Sequence, residues 1–173
     1  MAGASARAAD HRPRYGGRVA DQGGTFHARP RCRATRYVVD ASVAVEYLPR
    51  TPLGLAAADT LEGADLIAPE LIDVEVLSAL RKAVLLGRLD ESRALAAVKD
   101  LSRWPVDRVS HRALARLAWR YRHNVSAYDA FYLATARSHA VPLLTADGKL
   151  AGASGLDVTV QHIFGSPRHV MEP

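Results

Sequence analysis

From Tyr37 onward, short apolar runs alternate with longer stretches whose apolar residues recur at helical spacing, and this alternation constrains the fold more than any other feature of the chain. Tyr37-Val38-Val39, Leu66-Ile67-Ala68, the run from Pro105-Val106 to Val109, Val141-Pro142-Leu143-Leu144 and Val158-Thr159-Val160 are short and rich in β-branched residues, as buried strands are. Between them lie helical segments. Ala41 to Leu48 stops at Pro49, Pro52 to Leu61 is closed by Gly63, and Leu71 to Leu86 ends at Gly87. Asp90 opens a helix to about Arg103, Ser110 caps one reaching His123, and Ser126 starts one that runs through His139. On the long third helix, Leu71, Val74, Leu77, Ala79, Leu80 and Val84 are expected near one packed face. Strands of this length separated by helices form parallel βαβ units, so the expected class is α/β with an open, mostly parallel sheet.

Composition bounds what such a domain can do. The chain has 173 residues, enough to bury one core, and no apolar run approaches the roughly 18 residues of a membrane-spanning helix. Cys32 is the only cysteine, which excludes an intrachain disulfide; with no apolar leader at the N-terminus, a reducing cytoplasm is the expected location. The net charge of +5 is unevenly placed. Residues 1–36 hold eight Arg against Asp10 and Asp21, a net of +6, while the rest carries 15 basic and 16 acidic residues, a net of −1. A nearly neutral body must attract a polyanion through local clustering of charge or through bound metal. Residues 1–36, with paired glycines and no apolar period, are expected to be a basic, disordered N-terminal extension; 37–163 are the folded domain and 164–173 a C-terminal tail.

Four carboxylates stand out by position. Asp40 follows the first strand, Asp147 follows the fourth, Glu75 lies early in the long helix, and Asp129 sits in the first turn of the helix before the fourth strand. Each has an ordinary reading: Asp40 as a helix N-cap, Asp129 as the third residue of a capping box opened by Ser126, Asp147 as a turn residue, and Glu75 as a solvated helix position. Together they point elsewhere. In an open α/β sheet the ligand crevice lies beyond the carboxyl ends of the strands, and all four can border it. Apolar neighbours (Val38, Val39 and Val43; Phe131, Tyr132 and Leu133) suggest that Asp40 and Asp129 are partly buried.

Carboxylates gathered in one crevice resist ionisation unless a cation neutralises them, and oxygen-only donors suit Mg²⁺ or Mn²⁺ rather than zinc. Phosphodiester hydrolysis is the reaction that best matches such a site. Ser42 and Thr145, two residues from Asp40 and Asp147, can orient a carboxylate or serve equally well as a cap and a turn hydroxyl. Competing chemistries lack their residues: there is no HExxH, no GxxxxGK[ST], no GxGxxG after a strand and no GxSxG. A phosphatase using Asp-x-Asp would need an acid where Ser42 stands, and a receiver domain would need an acidic pair near its first strand. The aromatic residues, including Trp104 and Trp119, read as core or helix-face positions, and Arg112, Arg116 and Arg120, at i, i+4 spacing, as a solvated face more often than as a track for RNA.

Tyr37-Val38-Val39-Asp40-Ala41-Ser42, Pro69-Glu70-Leu71 followed by Glu75-Val76-Leu77-Ser78-Ala79-Leu80, Ala127-Tyr128-Asp129-Ala130 with Tyr132-Leu133-Ala134, and Leu144-Thr145-Ala146-Asp147 resemble the motifs of the PIN domain, in particular those of the VapC toxins of type II toxin–antitoxin pairs. The resemblance spans about 37–163, with the four motifs in the family's order. It implies a three-layer α/β/α fold, a Mg²⁺-dependent endoribonuclease (Mn²⁺ being a possible substitute) acting on RNA, a homodimer, and a VapB-like antitoxin that blocks the site. It also implies that Asp40 and Asp129 are the principal metal ligands, that Asp147 is a third acidic position at the metal, and that Glu75 is the acidic residue of the long helix. Residues 1–36 have no counterpart in the family's short members. The alternative, a catalytically inert PIN-like module that only binds RNA or protein, predicts loss of at least one acid, and all four are present.

Overall fold

The computed structural model describes residues 35–164; of the extension expected over 1–36 and the tail expected over 164–173, residues 1–34 and 165–173 lie outside the described residues. Five strands form one parallel sheet: β1 (Thr35–Val39), β2 (Ala64–Pro69), β3 (Val106–Val109), β4 (Leu143–Thr145) and β5 (Val160–His162). The helices are α1 (Ala41–Tyr47), α2 (Pro52–Glu62), α3 (Leu71–Leu85), α4 (Glu91–Leu101), α5 (His111–Ala118), α6 (Ala127–His139) and α7 (Gly148–Ala151), with a 3₁₀ turn at Trp119–Tyr121. The spatial order is β3-β2-β1-β4-β5, so the chain builds outward from β1 in one direction and then returns to build in the other. That reversal makes the carboxyl edge between β1 and β4 the topological switch point, where open α/β sheets bind ligands. Right-handed crossovers applied to this order put α1–α4 on one face and α5–α7 on the other.

The strands that cross the centre are apolar through their buried portions because both faces are covered there. Val38, Val39, Ile67, Ala68, Leu143 and Leu144 are all buried, and Ile72, Val76 and Leu80 of α3 and Leu133, Ala134 and Ala136 of α6 pack into the same core. The buried stripe of α3 thus repeats at i, i+4 and i+8. The sequence-based face was different: Val74 and Leu77 are 66% and 44% exposed, so α3 carries a second, outward apolar stripe. A helix that is apolar on two sides gives a periodicity pattern that cannot say which side meets the sheet.

Helix boundaries have local causes. Thr51 caps α2 by accepting a hydrogen bond from Gly54 N–H at 3.1 Å, and Pro52 follows at N1. At the end of α3, Gly87 takes φ = +65°; its N–H donates to Val84 O and Arg88 N–H donates to Ala83 O, the paired bonds of a Schellman motif. Gly54 answers a packing demand instead. A Cβ there would lie 2.0 Å from the Glu46 carbonyl oxygen, so the α1–α2 hairpin closes only around a glycine.

Other expectations shift by a few residues. β1 begins at Thr35, because Thr35 and Arg36 pair with Ala64 and Asp65 through the backbone while both side chains stay exposed and leave no apolar signal. β5 lies two residues later than Val158–Val160, in register with Leu143 to Thr145. Ser110 is the N-cap residue of α5 but makes no side-chain cap bond, and α5 ends at Ala118 before the 3₁₀ turn rather than continuing to His123. Trp104 is buried, whereas Trp119 is 69% exposed. Arg112, Arg116 and Arg120 are exposed. Among the described residues, no helix is long and apolar enough to cross a membrane.

Candidate active site

The switch point is organised by hydroxyl groups. Asp40 leaves β1 in an extended conformation at the N-cap of α1, yet its carboxylate makes no side-chain cap bond. It turns across the sheet edge instead. Ser42 Oγ and Thr145 Oγ1 both donate to Asp40 Oδ2, at 2.5 Å and 2.7 Å. Each hydroxyl oxygen is in turn fixed by a backbone amide from the β4 side: Ala146 N–H donates to Ser42 Oγ at 2.9 Å, and Asp147 N–H donates to Thr145 Oγ1 at 3.0 Å. The result is a four-bond lattice joining the ends of β1 and β4, with the orienting roles of Ser42 and Thr145 realised and the capping role of Asp40 not.

Asp40 is 7% exposed, and its pKa is raised above the ordinary carboxylate value. Burial is the largest cause; the Ser42 and Thr145 hydroxyls oppose it, the charge of Asp129 adds to it, and the Ala41 N–H lowers it slightly. Glu75, half-buried on α3, is raised for the same leading reason. The Tyr132 hydroxyl, donating to Glu75 Oε2 at 2.6 Å, works against burial, while the charges of Asp40 and Asp129 reinforce it. Asp40, Glu75 and Asp129 thus form a coupled set, in which the charge of Asp129 acts on Asp40 and the charges of both aspartates act on Glu75. Asp129 itself sits within the Ser126 cap: Asp129 N–H donates to Ser126 Oγ at 3.2 Å, and Ser126 Oγ donates to Asp129 Oδ2 at 2.7 Å. Half of the expected capping box is present, the Ser126 hydroxyl accepting the Asp129 N–H; the same hydroxyl, rather than the Ser126 N–H, meets the Asp129 carboxylate and orients it.

Asp147 does not enter the coupled set. It is exposed, it is the N-cap of α7, and its Oδ1 accepts the Lys149 N–H at 2.7 Å. Its link to Asp40 runs through its own backbone N–H and the Thr145 hydroxyl. Among the described residues, no group of three or more His, Cys, Asp or Glu side chains stands close enough, as placed, to hold a metal ion.

Each coupled acid follows one pattern. One carboxylate oxygen is held by a hydroxyl, and no side chain among the described residues donates to the other: Asp40 Oδ1, Asp129 Oδ1 and Glu75 Oε1. Tyr132 is the member of this network that the sequence reading missed. Its place three residues after Asp129, on the same helical face, was the available signal, masked by the apolar run Phe131-Tyr132-Leu133.

This arrangement occurs in a chain whose residues 37–156 match the PIN domain family. The chain is 39% identical over 126 residues to Ribonuclease VapC1 of Mycobacterium tuberculosis, covering 72% of this chain and 95% of that protein. It is 36% identical over 124 residues to Ribonuclease VapC12 of the same species, covering 72% and 96%. Among solved structures, PAE2754 from Pyrobaculum aerophilum shares the fold at a TM-score of 0.50 and 24% identity, over 68% of this chain and 84% of that one. The sheet order, the acids at its switch point, the family match and the near-complete coverage of these relatives agree: this chain belongs to the PIN-domain family and, within it, stands with the VapC ribonucleases.

Proposed function

We propose that this protein is a Mg²⁺-dependent endoribonuclease that hydrolyses RNA phosphodiester bonds, and that it is the toxin of a type II toxin–antitoxin pair. The observation that carries the reading is the coupled set Asp40, Glu75 and Asp129 at the switch point, each acid oriented by a hydroxyl and each with one oxygen to which no side chain among the described residues donates. Kinship with proteins named ribonucleases supports RNA as the substrate.

The donor set fits a hard cation. All available atoms are carboxylate oxygens, and Mg²⁺ binds through one or two carboxylates while keeping several waters, so a closed protein cage is not required. Asp40 and Asp129 would hold the ion, with Asp147 as a third acidic contributor; Mn²⁺ suits the same donors. When bound, the ion supplies Lewis acidity toward water and the phosphodiester. The remaining work falls to the chain. Ser42, Thr145 and Ser126 hold the two aspartates in single orientations, and burial, which raises the proton affinity of Glu75, suits its Oε1 to accept a proton from the attacking water.

Two partners follow from the same reading. A VapB-like antitoxin can inhibit by inserting an Arg or Lys among the carboxylates, where charge complementarity is greatest. A second copy of this chain can cover the outward stripe of α3, where Val74, Leu77 and Leu85 are exposed at helical spacing. The test of the activity is direct: incubate purified, antitoxin-free protein with total RNA in Mg²⁺ and in EDTA. Discrete RNA fragments in Mg²⁺ alone are expected, and intact RNA in both would refute the reading.

A further inference from the structure

We propose that Tyr132 is a positioning residue of the acidic site, its hydroxyl holding the Glu75 carboxylate beside Asp40 and Asp129; this rests on the nuclease reading above. Tyr132 is 1% exposed, and packing alone would be satisfied by Phe at the same place. The hydroxyl has one acceptor among the described residues, Glu75 Oε2 at 2.6 Å, with the Ala41 backbone N–H directed at its oxygen, and Glu75 has no other hydrogen-bond donor among them. The bond is also the only side-chain hydrogen bond joining α3 to α6 among the described residues. Because Tyr132 and Asp129 lie three positions apart on α6, one helix turn carries both an acid of the site and the donor that fixes the next acid.

Glu75 needs such a donor more than the aspartates do. Its side chain has one more rotatable bond than theirs and is half-buried, and the negative charges of Asp40 and Asp129 push it away. Asp40 is held by two hydroxyls and Asp129 by the cap of its own helix. Glu75 has only the phenol. Without it, the carboxylate is free to turn toward water, where neither its charge nor Oε1 serves the site. A buried tyrosine also requires an acceptor, so the bond secures both partners.

The experiment is a double-mutant cycle of Tyr132→Phe and Glu75→Gln in the full chain. Readouts are kcat and KM on a defined RNA, Mn²⁺ affinity of the RNA-free protein by electron paramagnetic resonance, and the melting temperature. Tyr132→Phe should melt close to wild type, lower kcat about 10-fold with KM for RNA little changed, and weaken Mn²⁺ binding several-fold. In the Glu75→Gln background, the same change should cost little more, because its effect runs through Glu75. Equal kcat and Mn²⁺ affinity in Tyr132→Phe and wild type overturns the positioning role while leaving the nuclease reading intact. So do losses that add fully in the double variant. A wild-type protein inert toward both RNA and Mn²⁺ overturns the two readings together.

Discussion

Asp40 shows how a single residue is held between opposing terms. Burial favours its protonated form, two hydroxyl donors favour the carboxylate, and burial wins, leaving the folded-state pKa above the unfolded one. Between those two values the folded chain binds more protons than the unfolded chain, so stability falls as pH rises through the window and levels off above it. Glu75 contributes with the same sign. In EDTA, the wild-type melting temperature should therefore decline as pH climbs from about 4. Asp40→Asn, whose amide oxygen can still accept from Ser42 and Thr145, should give a flatter profile and match or exceed wild type near neutral pH. Melting curves across pH check this; an Asp40→Asn protein that melts well below wild type at neutral pH would mean that the carboxylate is structural. At this scale the sequence was most legible where spacing carried chemistry, as with Ser42 and Thr145 flanking two acids. It was least legible at Tyr132, because a phenol in an apolar run looks like packing until its one acceptor is seen.

Secondary-structure elements follow the same logic. Strands covered on both faces announce themselves by composition, so the centres of β1, β2 and β4 were readable, while their ends, fixed by backbone pairing, were not. Gly87 was readable as the stop of α3 because a left-handed cap favours glycine. Gly54 was not, since its requirement arises from a partner helix: the backbone of Glu46 and Tyr47 occupies the space a methyl group would need. Gly54→Ala should accordingly destabilise the domain by about 1–3 kcal/mol through overpacking, read as a lower urea midpoint at unchanged slope. A neutral result would mean that α1 and α2 can separate at little cost.

For the whole molecule, one topological fact sets where the proposed site lies. Reversal of build direction at β1 brings the ends of β1 and β4 side by side, and the crossovers bring the start of α3 and the first turn of α6 to the same edge. Alternating strands and helices predicted the parallel sheet; the strand order, decided by long-range packing, was not in that pattern. Nor did the pattern distinguish the two apolar sides of α3. If the outward stripe pairs two copies, Leu77→Asp should shift the protein toward monomer in light scattering after size exclusion, with its melting temperature at high dilution unchanged. A wild-type monomer at micromolar concentration would remove the dimer from the account.

The claim at the centre is that the switch-point acids perform the chemistry. The most direct measurement compares RNA cleavage by wild type, Asp40→Asn, Asp129→Asn and Asp147→Asn in Mg²⁺, with circular dichroism confirming that each variant is folded. Asp40→Asn and Asp129→Asn should show no detectable cleavage. Asp147→Asn should show a smaller loss, on the order of 10-fold, because Asp147 is exposed and outside the coupled set. Folded Asp40→Asn or Asp129→Asn protein that cuts RNA at the wild-type rate would contradict the claim.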